Sequence, residues 1–424
     1  MDNFFQWLAI ILALTGNGEV VNDTTENTTP SVESPQPPVA TTPPPEEIPI
    51  TPIATTPPKE DEPPSSDTET PPPIEIPSGE TRSFSMGFTP WPYAASDTAI
   101  TYTYTLVQDS GDIIAHHLMS GIPWEEAYSG LQLPNSIEED ISSKINQTHS
   151  GKAIYLSIDS LNSARDDLAS NWGKNGEEPR LPPWDEKNFE DPEVAEAYSN
   201  FALRMIERFQ PIYFNYAPEV SDLILNDPDK FSHFIIFAER VYQSIKNIHP
   251  DLPLMASVAL KSPDSNETSI IESNFSRLSD FVDVVGISVY PYAFFEHSNK
   301  GDPANLPEDW LNQISSIAGG KPTAITETAW IAEKLVIPGF GYSEQSNADK
   351  QSEYVSTLLK TANDLSMSFV IWFTVVDYDT LWSGMLEQDD LSKTWKDTGL
   401  YNEDLNARPA LDVWNSYYLR EKDI

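Results

Sequence analysis

From Arg82 onward, short apolar runs alternate with longer stretches whose apolar residues recur at helical spacing. The runs are Phe84–Phe88, Asp112–Leu118, Ala153–Ile158, Ile212–Tyr216, Leu252–Val258, Asp283–Val289, Thr323–Thr326 and Ser368–Phe373. Each is short and rich in strand-forming residues, as buried strands are. Between them the period changes. Asp191-Pro192 opens a helix with Val194, Ala197, Tyr198, Phe201, Met205, Ile206 and Phe209 on one face, and Pro211 ends it. Asp227-Pro228 opens another, bearing Phe231, Phe234, Ala238, Val241, Ile245 and Ile248. Ser136-Ile-Glu-Glu139 reads as a capping box with Ile137, Ile141 and Ile145 behind it, and Asn347 as the cap of a helix through Ala362. Thr101–Val107 reads as strand by propensity, but the alternation requires a helix there, and the alternation is followed.

Eight strands interleaved with helices over the last 340 or so residues predict a (β/α)8 TIM barrel with enlarged loops. An open doubly wound sheet would place a glycine-rich turn after its first strand. Here that place reads Gly87-Phe-Thr-Pro-Trp91.

The first eighty residues follow neither pattern. Phe4–Leu14 is an apolar run too short to span a bilayer, and it resembles a signal-peptide core within residues 1–18. Asp2 stands where a basic residue is usual, and Asn17 stands where a lipid-bearing cysteine would be required. Residues 19–79 hold Lys59 against twelve acidic residues amid Pro and Thr, the composition of a disordered linker. The reading is of an exported protein, secreted, periplasmic or at the cell surface, whose linker spaces an 80–424 catalytic domain from its attachment.

Composition narrows the chemistry. The chain has 424 residues, no cysteine and a formal net charge of −41. The lack of cysteine removes disulfides, thiolate metal sites and a cysteine nucleophile. The charge argues against a nucleic-acid partner and for a neutral substrate. Only six histidines occur, and no metal or cofactor is expected.

In such a barrel the carboxyl ends of the strands converge on one face. The residues expected there are Trp91 and Tyr93, the His116–His117 pair, Asp159, Tyr216 with Glu219, Tyr290 with Tyr292, Glu327 with Trp330, and Trp372 with Asp377 beyond. His116 and His117 are adjacent on a strand, so they point to opposite faces and cannot share a metal. Two glutamates among aromatics suit sugar hydrolysis: one protonates the leaving oxygen while the other attacks the anomeric carbon or activates water. Aromatic rings supply the stacking surface. The long loop Ser160–Glu190, with Trp172 and Trp184, is expected to wall the cleft.

These stretches resemble the retaining glycoside hydrolases of the clan with an acid/base after strand four and a nucleophile after strand seven. Within it the sequence is most similar to endo-β-1,4-galactanases. Phe214-Asn-Tyr-Ala-Pro-Glu-Val220, Val285-Gly-Ile-Ser-Val-Tyr-Pro291, Ala324-Ile-Thr-Glu-Thr-Ala-Trp330 and Phe369-Val-Ile-Trp-Phe373 carry the resemblance, together with Thr398–Tyr401 and Arg408–Leu411. It implies Glu219 as acid/base, Glu327 as nucleophile, Tyr290 as the hydrogen-bond partner of Glu327, and Trp372 as the floor of the sugar site. Trp330, His116, Asp159 and Tyr216 complete the expected substrate-binding set. Pro218 departs from the clan, which has asparagine there to hold the substrate's 2-hydroxyl. That departure motivates an alternative, a carbohydrate-binding barrel with impaired catalysis. Polysaccharide binding without release of reducing ends would distinguish it.

Overall fold

The computed structural model describes residues 80–174 and 176–423. The signal-like segment and the linker lie outside the described residues. Eight parallel strands close a barrel: β1 (Ser85–Phe88), β2 (Ile113–Leu118), β3 (Ala153–Ile158), β4 (Tyr213–Ala217), β5 (Leu254–Ala259), β6 (Val284–Val289), β7 (Thr323–Thr328) and β8 (Phe369–Trp372). Every strand neighbours the next in sequence, and β8 returns to β1 with Trp372 opposite Phe88. This is a (β/α)8 barrel, and each strand falls on one of the runs expected from the sequence.

The principal helices are α1 (Asp97–Asp109), α2 (Asn135–Gln147), α3 (Pro192–Phe209), α4 (Pro228–Ile248), α5 (Asn266–Phe275), α6 (Gln313–Ala318), α7 (Ala348–Asp364) and α8 (Pro409–Tyr418). Their starts follow local chemistry. Pro192 and Pro228 occupy first-turn positions, where no backbone N–H is needed. Asp227 and Asn347 accept hydrogen bonds from the backbone of Lys230 and Lys350. In α1, Ser96 caps the helix, and Ile100, Thr103, Tyr104 and Val107 are buried at helical spacing. Burial of that face overrides the strand propensity of its Thr and Tyr residues. The capping box at Ser136 is not formed. The helix begins one residue earlier with Pro134 before it, which places Ser136 inside the first turn with no side-chain partner for its buried hydroxyl.

The strand period of two sorts side chains into two cores. Ile113, Ala115, Tyr155, Met255, Val284, Ala324, Phe369 and Ile371 pack inside the barrel. Their sequence neighbours Ile114, Leu156, Phe214, Leu254, Val285, Ile325, Val370 and Trp372 face the helices. Gly286 keeps the interior open. A Cβ there would lie 2.6 Å from Thr326 Cγ2 and 2.8 Å from Ser257 Cβ, directly below the candidate site. At the amino-terminal end of the barrel, Arg82 grips Asp112 with bonds of 2.7 and 3.0 Å. Nearby, Thr81–Arg82 pairs in parallel with Glu421–Lys422, tying the two ends of the domain together. Among the described residues no helix is long and apolar enough to cross a membrane.

Candidate active site

Above the inner core, the strand ends open into a cavity whose polar wall holds His117, Arg165, Asn215, Glu219, Ser257, Ser288, Tyr290, Thr326 and Glu327. Trp91, Met119, Phe294, Phe373, Leu391 and Trp395 add an apolar lining, with Trp395 and Phe294 in ring contact with Tyr290. Both glutamates follow irregularities in the strand ladder. The β4–β5 register shifts between Asn215 and Ala217, and the β6–β7 register shifts between Ile325 and Glu327. Such bulges re-aim side chains at barrel rims. Glu219 also adopts φ +50°, a left-handed backbone uncommon for a side-chain-bearing residue. Its N–H donates to Ser257 Oγ at 2.9 Å, which helps hold that turn.

Glu327 sits opposite Ser288 in the β6–β7 ladder, and the Ser288 side chain in turn hydrogen-bonds Glu219. The Tyr290 hydroxyl donates to Glu327 Oε1. Glu219 Oε2 accepts from Arg165 Nη2 at 3.1 Å, while Arg165 Nη1 donates to Asp159 Oδ2 at 3.0 Å. The other Asp159 oxygen lies 2.7 Å from His117 Nε2. A continuous chain, His117–Asp159–Arg165–Glu219, therefore lines one side of the cavity.

The two glutamates hold protons differently. Burial and the nearby charge of Glu219 push Glu327 up to about 7, against the opposing hydrogen bond from Tyr290. Burial also acts on Glu219, but the charge of Arg165 and hydrogen bonds from Ser288 and Arg165 outweigh it and hold this carboxyl below its ordinary value. His117 is raised: burial opposes its charge, and the adjacent Asp159 prevails. Tyr290→Phe removes a donor that favours ionised Glu327. That variant is expected to titrate Glu327 above the wild-type value and to lose about 10- to 100-fold in turnover. A pH profile of cleavage checks both.

Strand parity decides which expected residues reach the cavity. Glu219, Glu327 and Tyr290 line it, and Asp159 stands just behind as the anchor of His117 and Arg165. Trp372 does not floor it. It is an outward residue of β8, fully buried, with its indole N–H donating to Thr398 O at 3.0 Å, and the inward neighbour Phe373 faces the cavity instead. Tyr216 likewise points out of β4 and donates to Phe281 O at 2.8 Å. His116 faces the helices, between Tyr104 and Phe209 and 2.9 Å from Thr148 Oγ1, while His117 takes the inner face. Trp330 lies beyond the end of β7, stacked on Tyr354 with ring centroids 4.6 Å apart. None of these four side chains is placed to touch a ligand in the cavity.

The long loop after β3 contributes differently from expectation. Trp172 and Trp184 are buried against Phe201 and Trp124, and neither lines the cavity. The loop supplies Arg165 and Ser163. Asn215 is committed to the floor: Nδ2 donates to Tyr155 Oη at 2.9 Å and Ser257 Oγ at 3.1 Å, and Oδ1 accepts from Ala217 N at 3.1 Å. It does not replace the asparagine missing at Pro218. Asp377 is buried away from the cavity against Arg408, 2.7 Å distant.

No protein-family model matches the chain, and no curated protein matches it in sequence. Solved structures match its fold. A GH5_18 protein from Bifidobacterium longum subsp. infantis aligns over 81% of this chain and 80% of its own, with a TM-score of 0.55 and 12% identity. An exo-β-1,4-mannosidase from Opitutaceae bacterium strain TAV5 aligns with a TM-score of 0.53 and 12% identity, covering 81% of this chain and 61% of its own. The chain thus spans less than two thirds of that enzyme. The GH53 catalytic domain of Ignisphaera aggregans aligns over 81% of this chain and 98% of its own, with a TM-score of 0.52 and 14% identity. These neighbours are glycoside hydrolases. At such identities the likeness speaks to the barrel and not to the substrate.

Proposed function

We propose that this protein is a glycoside hydrolase that cleaves a neutral β-linked glycan by double displacement, with Glu327 as nucleophile and Glu219 as acid/base. The observation that carries this reading is the pair of glutamates lining one cavity, Glu327 bonded to Tyr290 and Glu219 to Arg165, among aromatic side chains. The resemblance of the strand-four and strand-seven stretches to retaining enzymes favours direct attack on the anomeric carbon over activation of an intervening water. Tyr290 supports the nucleophile's role for Glu327, because its hydroxyl steadies the anion that must attack. In the first half-reaction Glu327 bonds to the anomeric carbon while Glu219 gives its proton to the departing oxygen. In the second, Glu219 takes a proton from water, which releases the sugar from Glu327 with its configuration restored.

The aromatic wall supports a carbohydrate ligand. Trp91, Trp395 and Phe373 line the cavity and suit the apolar face of a pyranose, beside polar groups suited to its hydroxyls. A galactan is the substrate suggested by the sequence resemblance, the acidic composition favours a neutral substrate, and the apolar run Phe4–Leu14 favours export. The test is the anomeric configuration of the first product, followed by proton NMR during hydrolysis. Double displacement yields the substrate's own anomer, and an inverted product would refute it.

A further inference from the structure

The Arg165–Glu219 contact is at odds with what an acid catalyst needs. The acid must carry a proton on the oxygen that faces the leaving group. Here Glu219 Oε2 accepts from Arg165 Nη2 at 3.1 Å, and the Arg165 side chain is itself only 7% exposed. In the empty site Arg165 is held by further contacts: its second prong is on Asp159, its backbone is at φ +56°, and its N–H is bonded to Asn162 O at 3.0 Å. A buried, two-pronged guanidinium of this kind favours the ionised form of both carboxylates.

We propose that Arg165 is a positioning residue for the reacting pair: bridging Asp159 and Glu219, it keeps Glu219 a carboxylate in the empty cavity and leaves the pair's proton on Glu327, so that a bound glycan must draw Arg165 off Glu219 before the leaving oxygen is protonated. The exchange is balanced. Glu219 carboxylate and protonated Glu327 become protonated Glu219 and Glu327 carboxylate, the Arg165–Glu219 hydrogen bond breaks, and Arg165 stays on Asp159. Each product is then in the form its role demands. The raised proton affinity of Glu327 and lowered affinity of Glu219 agree with this resting distribution. Other charged and titratable groups face Glu219 as well. Asp159 from the end of β3 and Asp222 from the segment after β4 repel its charge. Glu327 from β7 and Tyr290 from the end of β6 also face it, Lys261 neutralises Asp222 at 2.8 Å, and His117 of β2 is held off by Asp159. Arg165 is the cation in direct contact.

The inference rests on Glu219 and Glu327 being the reacting pair, but its test needs no turnover. The full chain labelled with 13C at the glutamate carboxyl carbons is titrated by NMR, with Glu219→Gln and Glu327→Gln assigning the two signals. In the wild type the Glu219 signal is expected to titrate at the lower pH and the Glu327 signal near neutrality. In Arg165→Gln the lower midpoint is expected to rise by roughly one to three pH units. Arg165→Lys, which keeps the charge without the planar two-pronged fork, is expected to raise it by less, and it decides the matter if Arg165→Gln does not fold. A folded Arg165 variant whose Glu219 midpoint is unchanged overturns the proposal. A protein that titrates as expected yet cleaves no glycan refutes the catalytic reading and leaves the role of Arg165 standing.

Discussion

Glu327→Gln is expected to abolish glycan cleavage while making the protein harder to melt above neutral pH. Loss of the attacking carboxylate removes the covalent step, and the fall in turnover is expected to be at least about 10²–10⁴-fold. The stability effect has the opposite sign because the site places this carboxyl where its charged form is disfavoured. Its folded value, about 7, lies above the ordinary 4.5. Below pH 4.5 the folded and unfolded chains both hold the proton and the group costs nothing. As pH rises toward 7 the unfolded chain releases its proton first, so the folded state loses stability. The full cost, up to about 3 kcal/mol, is present above that. Glutamine keeps the shape without the charge. Melting curves of the two proteins should therefore coincide near pH 4.5 and separate steadily toward pH 8, with the variant higher. Curves that stay superimposed at pH 8 would show that Glu327 is not held against its charge.

Glu219→Gln is expected to show the reverse signature. This carboxyl is held below its ordinary value by Arg165, so it contributes stability above pH 4.5 that disappears as pH falls through its folded value. Its removal should lower the melting temperature at neutral pH and have little effect in acid, where wild type has already lost the contribution. In catalysis the loss depends on the leaving group. Alkyl and sugar leaving groups need the proton, and their cleavage is expected to fall by roughly 10²–10⁴-fold. An aryl glycoside of an acidic phenol leaves without help and should lose far less in the first half-reaction. Equal losses for both substrate types would remove Glu219 from the acid's role.

The barrel was legible because its signal is redundant. Eight buried runs, each separated by a helix-period stretch, specify the topology even where one propensity misleads, as Thr101–Val107 does inside α1. The two glutamates were legible for a related reason: strands β4 and β7 end in Asn-Tyr-Ala-Pro-Glu and Ile-Thr-Glu, and the carboxyl end of a barrel strand is where chemistry collects. What was lost lay one residue away. Trp372, Tyr216 and His116 belong to the helix-facing parity of their strands, and counting alternate positions from Ile371, Asn215 and Ala115 would have favoured Phe373 and His117. Trp330 lies past the end of β7, where parity no longer informs. Arg165 could not be read at all. It reaches Glu219 across 54 positions that hold the rest of the loop, α3 and β4, and an arginine followed by two aspartates in an acidic chain suggests only a local ion pair. Ser136 failed for a third reason, since an S-x-x-E pattern cannot cap a helix that already began at Asn135.

The central claim is that Glu219 and Glu327 together cleave a glycan. It is tested most directly by measuring reducing ends released from a panel of neutral β-linked polysaccharides, galactan among them, by wild type, Glu219→Gln and Glu327→Ala, each shown to be folded. Wild type is expected to release reducing ends from at least one polymer, and neither variant to release any above background. Equal release by wild type and both variants would contradict it. So would a wild-type protein that binds one of these polymers and cuts none of them.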